Sequence, residues 1–217
     1  MKWIGAAGAS ATYCIATVSS GVTNLDEMLA DEDFTVGIIG QSGFYPATMA
    51  VNNALGGHFR FVFGFDGVAE LNLAMARGEI DGVCGASYSS IVRRREVVDI
   101  VIIAELASER GDQVENAEFL LDRVTDPLTR EALNLMFVKD EIYYPLIAHP
   151  DTPDEIVEVL RSAYAQLAAD QAFLDDAVAR LLEPLITDGA TVQAIADGIH
   201  NAPDEVKQRL RELVTAP

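Results

Sequence analysis

Two rhythms of apolar and polar positions run along the chain. Between Thr12 and Leu106, short apolar runs recur: "TYCIATV", "FTVGII", "FRFVF", "IDGVCGA" and "VVDIVIIAEL". Each has the length and β-branched content of a buried strand. Between them the apolar residues fall at helical spacing. Ala47, Ala50, Val51, Ala54 and Leu55 share one helix face, Pro46 suits the first turn, and Gly56-Gly57 ends it. Thr23 or Asn24 followed by Asp26 or Glu27 predicts a capped short helix, and "VAELNLAMAR" a helix that stops at Gly78. Residues 129–138 read as a helix and 142–148 as extended chain. Beyond position 150 the strand rhythm is gone. Thr152-Pro153-Asp154-Glu155 combines an N-cap, a first-turn proline and a capping acid, and helices are predicted over 153–169, 171–182, 190–199 and 203–213. The pattern therefore predicts an α/β lobe over residues 1–150 and a helical segment over 151–217 that packs on it.

The order strand, helix, strand, helix, strand from residue 34 to 86 predicts a mostly parallel sheet with right-handed crossovers. Parallel strands end at one edge, where open α/β sheets bind their ligands. Three turns follow these strands: "GQSGF" (Gly40, Gln41, Ser42, Gly43, Phe44), "GFDG" (Gly64, Phe65, Asp66, Gly67) and "GAS" (Gly85, Ala86, Ser87). All three are expected at that edge.

Charge narrows the ligand. The chain carries 34 acidic and 15 basic residues for a net charge of −19, with three of the basic residues lysine. Such a surface repels phosphate backbones and excludes nucleic acid as a partner. Arg93, Arg94 and Arg95 form the one basic cluster and read as a solvated loop. The two cysteines, Cys14 and Cys84, sit in apolar runs and read as buried free thiols, since a disulfide requires both adjacent strands and an oxidising compartment. Three scattered histidines with no CxxC or HExxH spacing predict neither a metal site nor a cofactor. The N-terminal "MKWIGAAGASATYCIATV" is rich in Ala and Gly, and its "TYCIATV" run reads as a buried strand rather than as part of a signal peptide.

The first turn admits three chemistries. A phosphate loop needs G-x-x-x-x-G-K-[ST] and a dinucleotide fingerprint G-x-G-x-x-G; neither is present. A nucleophile elbow, G-x-S-x-G, is matched by Gly40-Gln41-Ser42 but not by Gly43-Phe44, which leaves a small serine hydrolase using Ser42 with His149 or His200 as the alternative. A third reading is a carboxylate cradle, in which glycine amides, the Ser42 hydroxyl and a helix N-terminus donate to an anion without Lys or Arg. Asp66 reads first as a helix cap, and Asp81 as a strand residue at the rim or in the core.

The segments "KWIG", "VGIIGQSGFYPATMAVNNALGGHFRFVFGFDGVAELNLAMARGEIDGVCGASYSSI" and "RSAYAQLAADQAFLDDA" resemble the substrate-binding proteins of tripartite tricarboxylate transporters, the Bug-like receptors. The resemblance implies a type II periplasmic-binding-protein fold that holds a di- or tricarboxylate or an acidic amino acid between two lobes and hands it to membrane transporter subunits, without catalysis. It implies a periplasmic location. By the same likeness, Gly40–Phe44, Gly64–Gly67, Asp81, Gly85, Ala86 and Ser87 line the second lobe's side of the cleft. Such receptors begin with a first lobe that has no counterpart here, so self-association through the surface it would cover is also expected.

Overall fold

The structure, a computed structural model, describes residues 1–8, 11–40, 44–180, 182 and 184–215. In chain order its elements are β1 (Lys2–Gly8), β2 (Thr12–Thr17), α1 (Leu25–Ala30), β3 (Thr35–Ile39), α2 (Phe44–Leu55), β4 (Arg60–Phe65) and α3 (Val68–Ala76). There follow β5 (Gly82–Ser87), α4 (Tyr88–Arg94), β6 (Ile100–Leu106), β7 (Glu118–Phe119), α5 (Leu120–Arg123) and α6 (Pro127–Phe137). The chain ends with β8 (Tyr143–Ala148), α7 (Asp154–Ala165), α8 (Gln171–Ala179), β9 (Thr187–Asp188), α9 (Gly189–His200) and α10 (Asp204–Leu213).

These elements sort into two compact units. One comprises Met1–Ser10 and Phe137–Ala202; the other comprises Ala11–Met136 and Pro203–Pro217. Both units draw on the two sides of position 150. The tail helices accordingly divide: α7 and α9 pack on β1, whereas α10 packs on α2. Asn53 fastens that last contact, its Nδ2 donating to the Leu213 carbonyl at 2.8 Å.

The larger unit is built on a six-stranded sheet of order β4-β3-β5-β2-β6-β7. β3 runs parallel to β4 and β5, β6 parallel to β7, and β2 antiparallel to both of its neighbours. The predicted stripe on α2 faces inward: Ala47, Ala50 and Val51 are buried against the sheet, and Ala54 and Leu55 are half-buried. Tyr13, Ile15, Leu71, Met75, Val83 and Ile91 form a core cluster beneath α3 and α4. Asn24 caps α1 by accepting from the Glu27 amide at 2.9 Å, as its spacing predicts. At α7 the N-cap is Pro153, without a side-chain cap, one residue beyond Thr152.

Two expectations are corrected. Cys14 and Cys84 are disulfide-bonded, because the antiparallel register of β2 and β5 places them directly opposite each other. The arginine cluster is not a solvated loop. Arg93 and Arg94 form the last turn of α4, Arg95 caps it, and Arg94 is fully buried. Its Nε donates to Asn72 Oδ1 at 2.6 Å, and burial lowers its pKa to about 10. Tyr88, Ile91 and Arg94 point inward at helical spacing, which "SYSSIVRRR" conceals because a charged residue holds one of the inward positions.

The smaller unit contains a three-stranded sheet of order β8-β1-β9, covered in part by α7 and α9. Tyr164 on α7 lies over Gly5 of β1 so closely that a Cβ there would collide with the ring. Among the described residues no helix is long and apolar enough to cross a membrane.

Candidate functional site

Because β3, β4 and β5 are parallel, their C-terminal ends share one edge of the larger unit's sheet. Ile39 pairs with Phe65, and Val36 with Gly82, so the ends of the three strands stand level. Gly40 leaves β3 there, Phe65-Asp66-Gly67 leads from β4 into α3, and Ser87 leads from β5 into α4. Phe44 opens α2 beside them. Gln41, Ser42 and Gly43 lie outside the described residues. The antiparallel neighbours add to the same edge, since β2 brings Thr12 opposite Ser87 and β6 brings Leu106 opposite Thr12. Sequence reasoning missed Thr12, because nothing in "ATYCIATV" shows which way β2 runs.

Backbone irregularities shape the edge. Between Gly37↔Val62 and Ile39↔Phe65 the strand β4 carries one extra residue, and Gly64 takes φ 107° there. Between Tyr13↔Ala86 and Cys14↔Cys84 the strand β5 carries another, where Gly85 takes φ 96°. Bulges of this kind bend a strand end and re-aim the residues beyond it. At Gly85 a Cβ would sit 3.1 Å from a Phe44 ring carbon and 3.5 Å from Phe44 Cα. The start of α2 thus rests directly on the end of β5, and the first and third turns touch.

The donors at this edge come from backbone. α2 and α3 both begin at it, and the Gly67 N-cap of α3 is extended and supplies no side-chain acceptor. Such helix starts leave unpaired N–H groups and a partial positive charge. Ser87 caps α4, accepting from Ser90 N at 3.4 Å, with Ser89 Oγ 3.3 Å away. Apolar walls flank these donors: Phe44, Phe65 and Tyr88 are half-buried against the core cluster of Tyr13 and Ile91. Tyr45, Phe61 and Phe63 continue the aromatic surface, with ring centroids 5.9–6.4 Å apart.

The remaining candidates are placed differently. Asp66 is exposed and does not cap α3; instead its N–H donates to Glu70 Oε2 at 2.8 Å. Ala86 is fully buried, with its side chain in the core. Asp81 stands apart from the others, ahead of β5 at the opposite end of the strands. There its Oδ2 accepts from Thr35 N at 2.9 Å and Thr35 Oγ1 at 2.6 Å, which ties β5 to the start of β3. A cavity of 440 Å³ beneath α7 belongs to the smaller unit, and in the larger unit one of 460 Å³ lies beside α10 near Asn53, towards the C-terminal end of α2.

One acid beside the edge escaped the sequence reading. Glu105 lies within the apolar run of β6, paired opposite Tyr13, and is 3% exposed. Burial raises its pKa, opposed by the Gly111 N–H that donates to Oε1 at 3.0 Å. No His of the larger unit joins the edge, because His58 precedes β4 at the other end of the sheet. His149 belongs to the smaller unit, where its Nδ1 accepts from the Asp151 amide at 3.2 Å. Among the described residues no group of three or more His, Cys, Asp or Glu could hold a metal ion.

The fold is that of periplasmic solute-binding proteins of the TctC and Bug type. Among solved structures, a TctC solute-binding protein from Polaromonas, without ligand, is similar over 97% of this chain and 69% of its own, at 20% identity and TM-score 0.69. An R. palustris protein with adipate matches 96% of this chain and 68% of its own, at 14% identity and TM-score 0.66. MatC from Rhodopseudomonas palustris, with bound malate, matches 99% and 69%, at 18% identity and TM-score 0.58. By sequence alone, no family profile and no characterised protein matches the chain.

Proposed function

We propose that this chain is a solute receptor, or the ligand-binding lobe of one, for small carboxylates in the periplasm, and that it delivers them to membrane transporter subunits without catalysis. The observation that carries this reading is the convergence of the β3, β4 and β5 ends, with the starts of α2 and α3, on one sheet edge that holds amide donors and aromatic walls. Adipate and malate in two proteins of the same fold support the ligand class.

A carboxylate is retained by such an edge as follows. Its oxygens replace water at N–H groups whose orientation is fixed by the helix starts, so little ordering entropy is lost on binding. The apolar surface of Phe44 and Phe65 accepts the methylene part of the acid. Residues 40–44, 64–67 and 85–90 contain no Lys or Arg, and the net charge of −19 supplies no attraction. Recognition therefore depends on short-range donors, which a screening length of about 8–10 Å permits. The Cys14–Cys84 disulfide supports export to an oxidising compartment. The partners on this reading are the acid, the transporter subunits and a second copy of the chain, with no nucleic acid and no cofactor.

Calorimetric titration with adipate, malate, citrate and glutamate, with the matching amides as controls, tests the reading. Saturable binding of at least one acid, unaccompanied by turnover, is the expected result. Flat titrations across the panel, or covalent labelling of Ser42 by a fluorophosphonate, overturn it.

A further inference from the structure

β8 is the end strand of the β8-β1-β9 sheet and is exposed along most of its length. Tyr143, Tyr144, Leu146 and Ile147 are 40%, 58%, 46% and 47% exposed. Leu146 and Ile147 are successive strand residues that point to opposite faces, so neither face of this strand is covered. Tyr144 takes φ 52°, a conformation uncommon outside glycine, and the Tyr143 and Tyr144 rings meet edge to face with centroids 4.5 Å apart. A strained, aromatic and uncovered strand is an unusual feature for a surface otherwise rich in carboxylates.

We infer that β8 is a self-association surface, whose occupant is β8 of a second copy related by a two-fold axis. The strand itself favours this partner. From Ile142 to Ala148 it has no Asp, Glu, Lys or Arg, so two copies of a chain of net charge −19 can meet here without opposing carboxylates. The flanks bring mixed charges together under that symmetry: an axis at Pro145 sets Lys139, which pairs with Asp140 at 2.6 Å in its own chain, opposite Asp151, and Glu141 opposite His149, whose Nδ1 lies 3.5 Å from Asp151. Pro145 lacks an N–H in mid-strand and blunts extension of the backbone ladder, so the contact is made by side chains.

An uncovered apolar stripe on α7 of the same unit is a poorer candidate. Ile156, Val159 and Leu160 are exposed on α7, but Glu155 lies one turn from Val159 on the same face, and a two-fold contact there opposes like charges. The inference does not depend on carboxylate binding, and its test is run without ligand.

Light scattering on the eluting protein reads the mass directly. The expected species has twice the 23.4 kDa chain mass, and its share grows with concentration and from about 0.15 M to about 1 M salt as residual repulsion is screened. Leu146→Asp and Ile147→Asp should each return the chain to its single mass, whereas Val159→Asp should not. All three positions are exposed, and a circular dichroism melt checks that each variant is folded. Should a β8 variant unfold, concentration-dependent protection of the β8 amides in hydrogen exchange of the unaltered chain decides instead. A single mass at every concentration overturns the inference. So does dissociation by Val159→Asp while the β8 variants stay associated.

Discussion

Cys14 and Cys84 lie directly opposite each other on β2 and β5 and join the two strands through a disulfide between fully buried residues. The bridge closes a sequence separation of 70 residues, from the middle of the sheet back to the middle of the sheet. Closing a loop of this length removes entropy from the unfolded chain worth about 4–4.5 kcal/mol. Replacing both cysteines by alanine should lower the unfolding free energy by that order, read as a lower urea midpoint. Burial also governs access. Alkylation after reductant alone should leave both sulfurs unmodified, whereas reductant with urea should modify two. Ready modification in native buffer would contradict the buried placement.

Arg94 makes a second, less intuitive prediction. Its guanidinium is fully buried, Nε is held by Asn72, and neither terminal nitrogen has a hydrogen-bond partner within the described residues. Burying a charge with so little compensation is costly, and a well-packed apolar residue of similar length often improves on it by about 1–4 kcal/mol. Arg94→Met should therefore raise the melting temperature. Asn72 is half-buried and can turn to water once its partner has gone. Arg94→Ala, which leaves a cavity, should lower the melting temperature, and the opposite signs separate charge from volume.

At Gly85 the geometry predicts a joint loss of stability and binding. The residue takes φ 96° and has Phe44 within van der Waals range of any Cβ. An L side chain there is strained by about 1–3 kcal/mol and pushes the start of α2 away from β5. Gly85→Ala should lower the melting temperature by several degrees and weaken acid binding in calorimetry. Gly21 also has a positive φ but lies in a turn away from the edge, with nothing near its Cβ. Gly21→Ala should destabilise the fold and leave binding unchanged.

Much of this architecture is legible in the sequence, and the rest is hidden for identifiable reasons. Local periodicity and punctuation place β2 to β6 and all four tail helices, because glycine stops and capping acids act within a few residues of the elements they bound. Long-range pairing is not written that way. The Cys14–Cys84 contact depends on β2 inserting antiparallel beside β5, and the separation of α10 from α7 and α9 depends on whether a helix meets α2 or β1. At the edge, Gly40, Phe44, Gly64–Gly67 and Gly85–Ser87 follow from the alternation of strand and helix alone. Asp81 joins them only through the family resemblance, not through the alternation. It lies at the strand's other end, where Thr35 holds it.

Glu105 links the edge to pH. Burial favours its neutral form, so its folded pKa lies above the ordinary value of 4.5. Where the folded pKa is raised, the unfolded chain ionises first, and stability from this group is fully present below pH 4.5 and falls as pH rises through the folded value. At neutral pH the carboxylate is therefore a standing cost, only partly offset by the Gly111 N–H. Glu105→Gln keeps an acceptor for that amide and removes the charge. The variant should be more stable than the unaltered chain at pH 7, and the difference should shrink as pH is lowered to about 4. Urea midpoints of both proteins across that range check the sign. A variant less stable at pH 7 would mean that the charge is used rather than tolerated, with Glu105 holding a donor at the sheet edge.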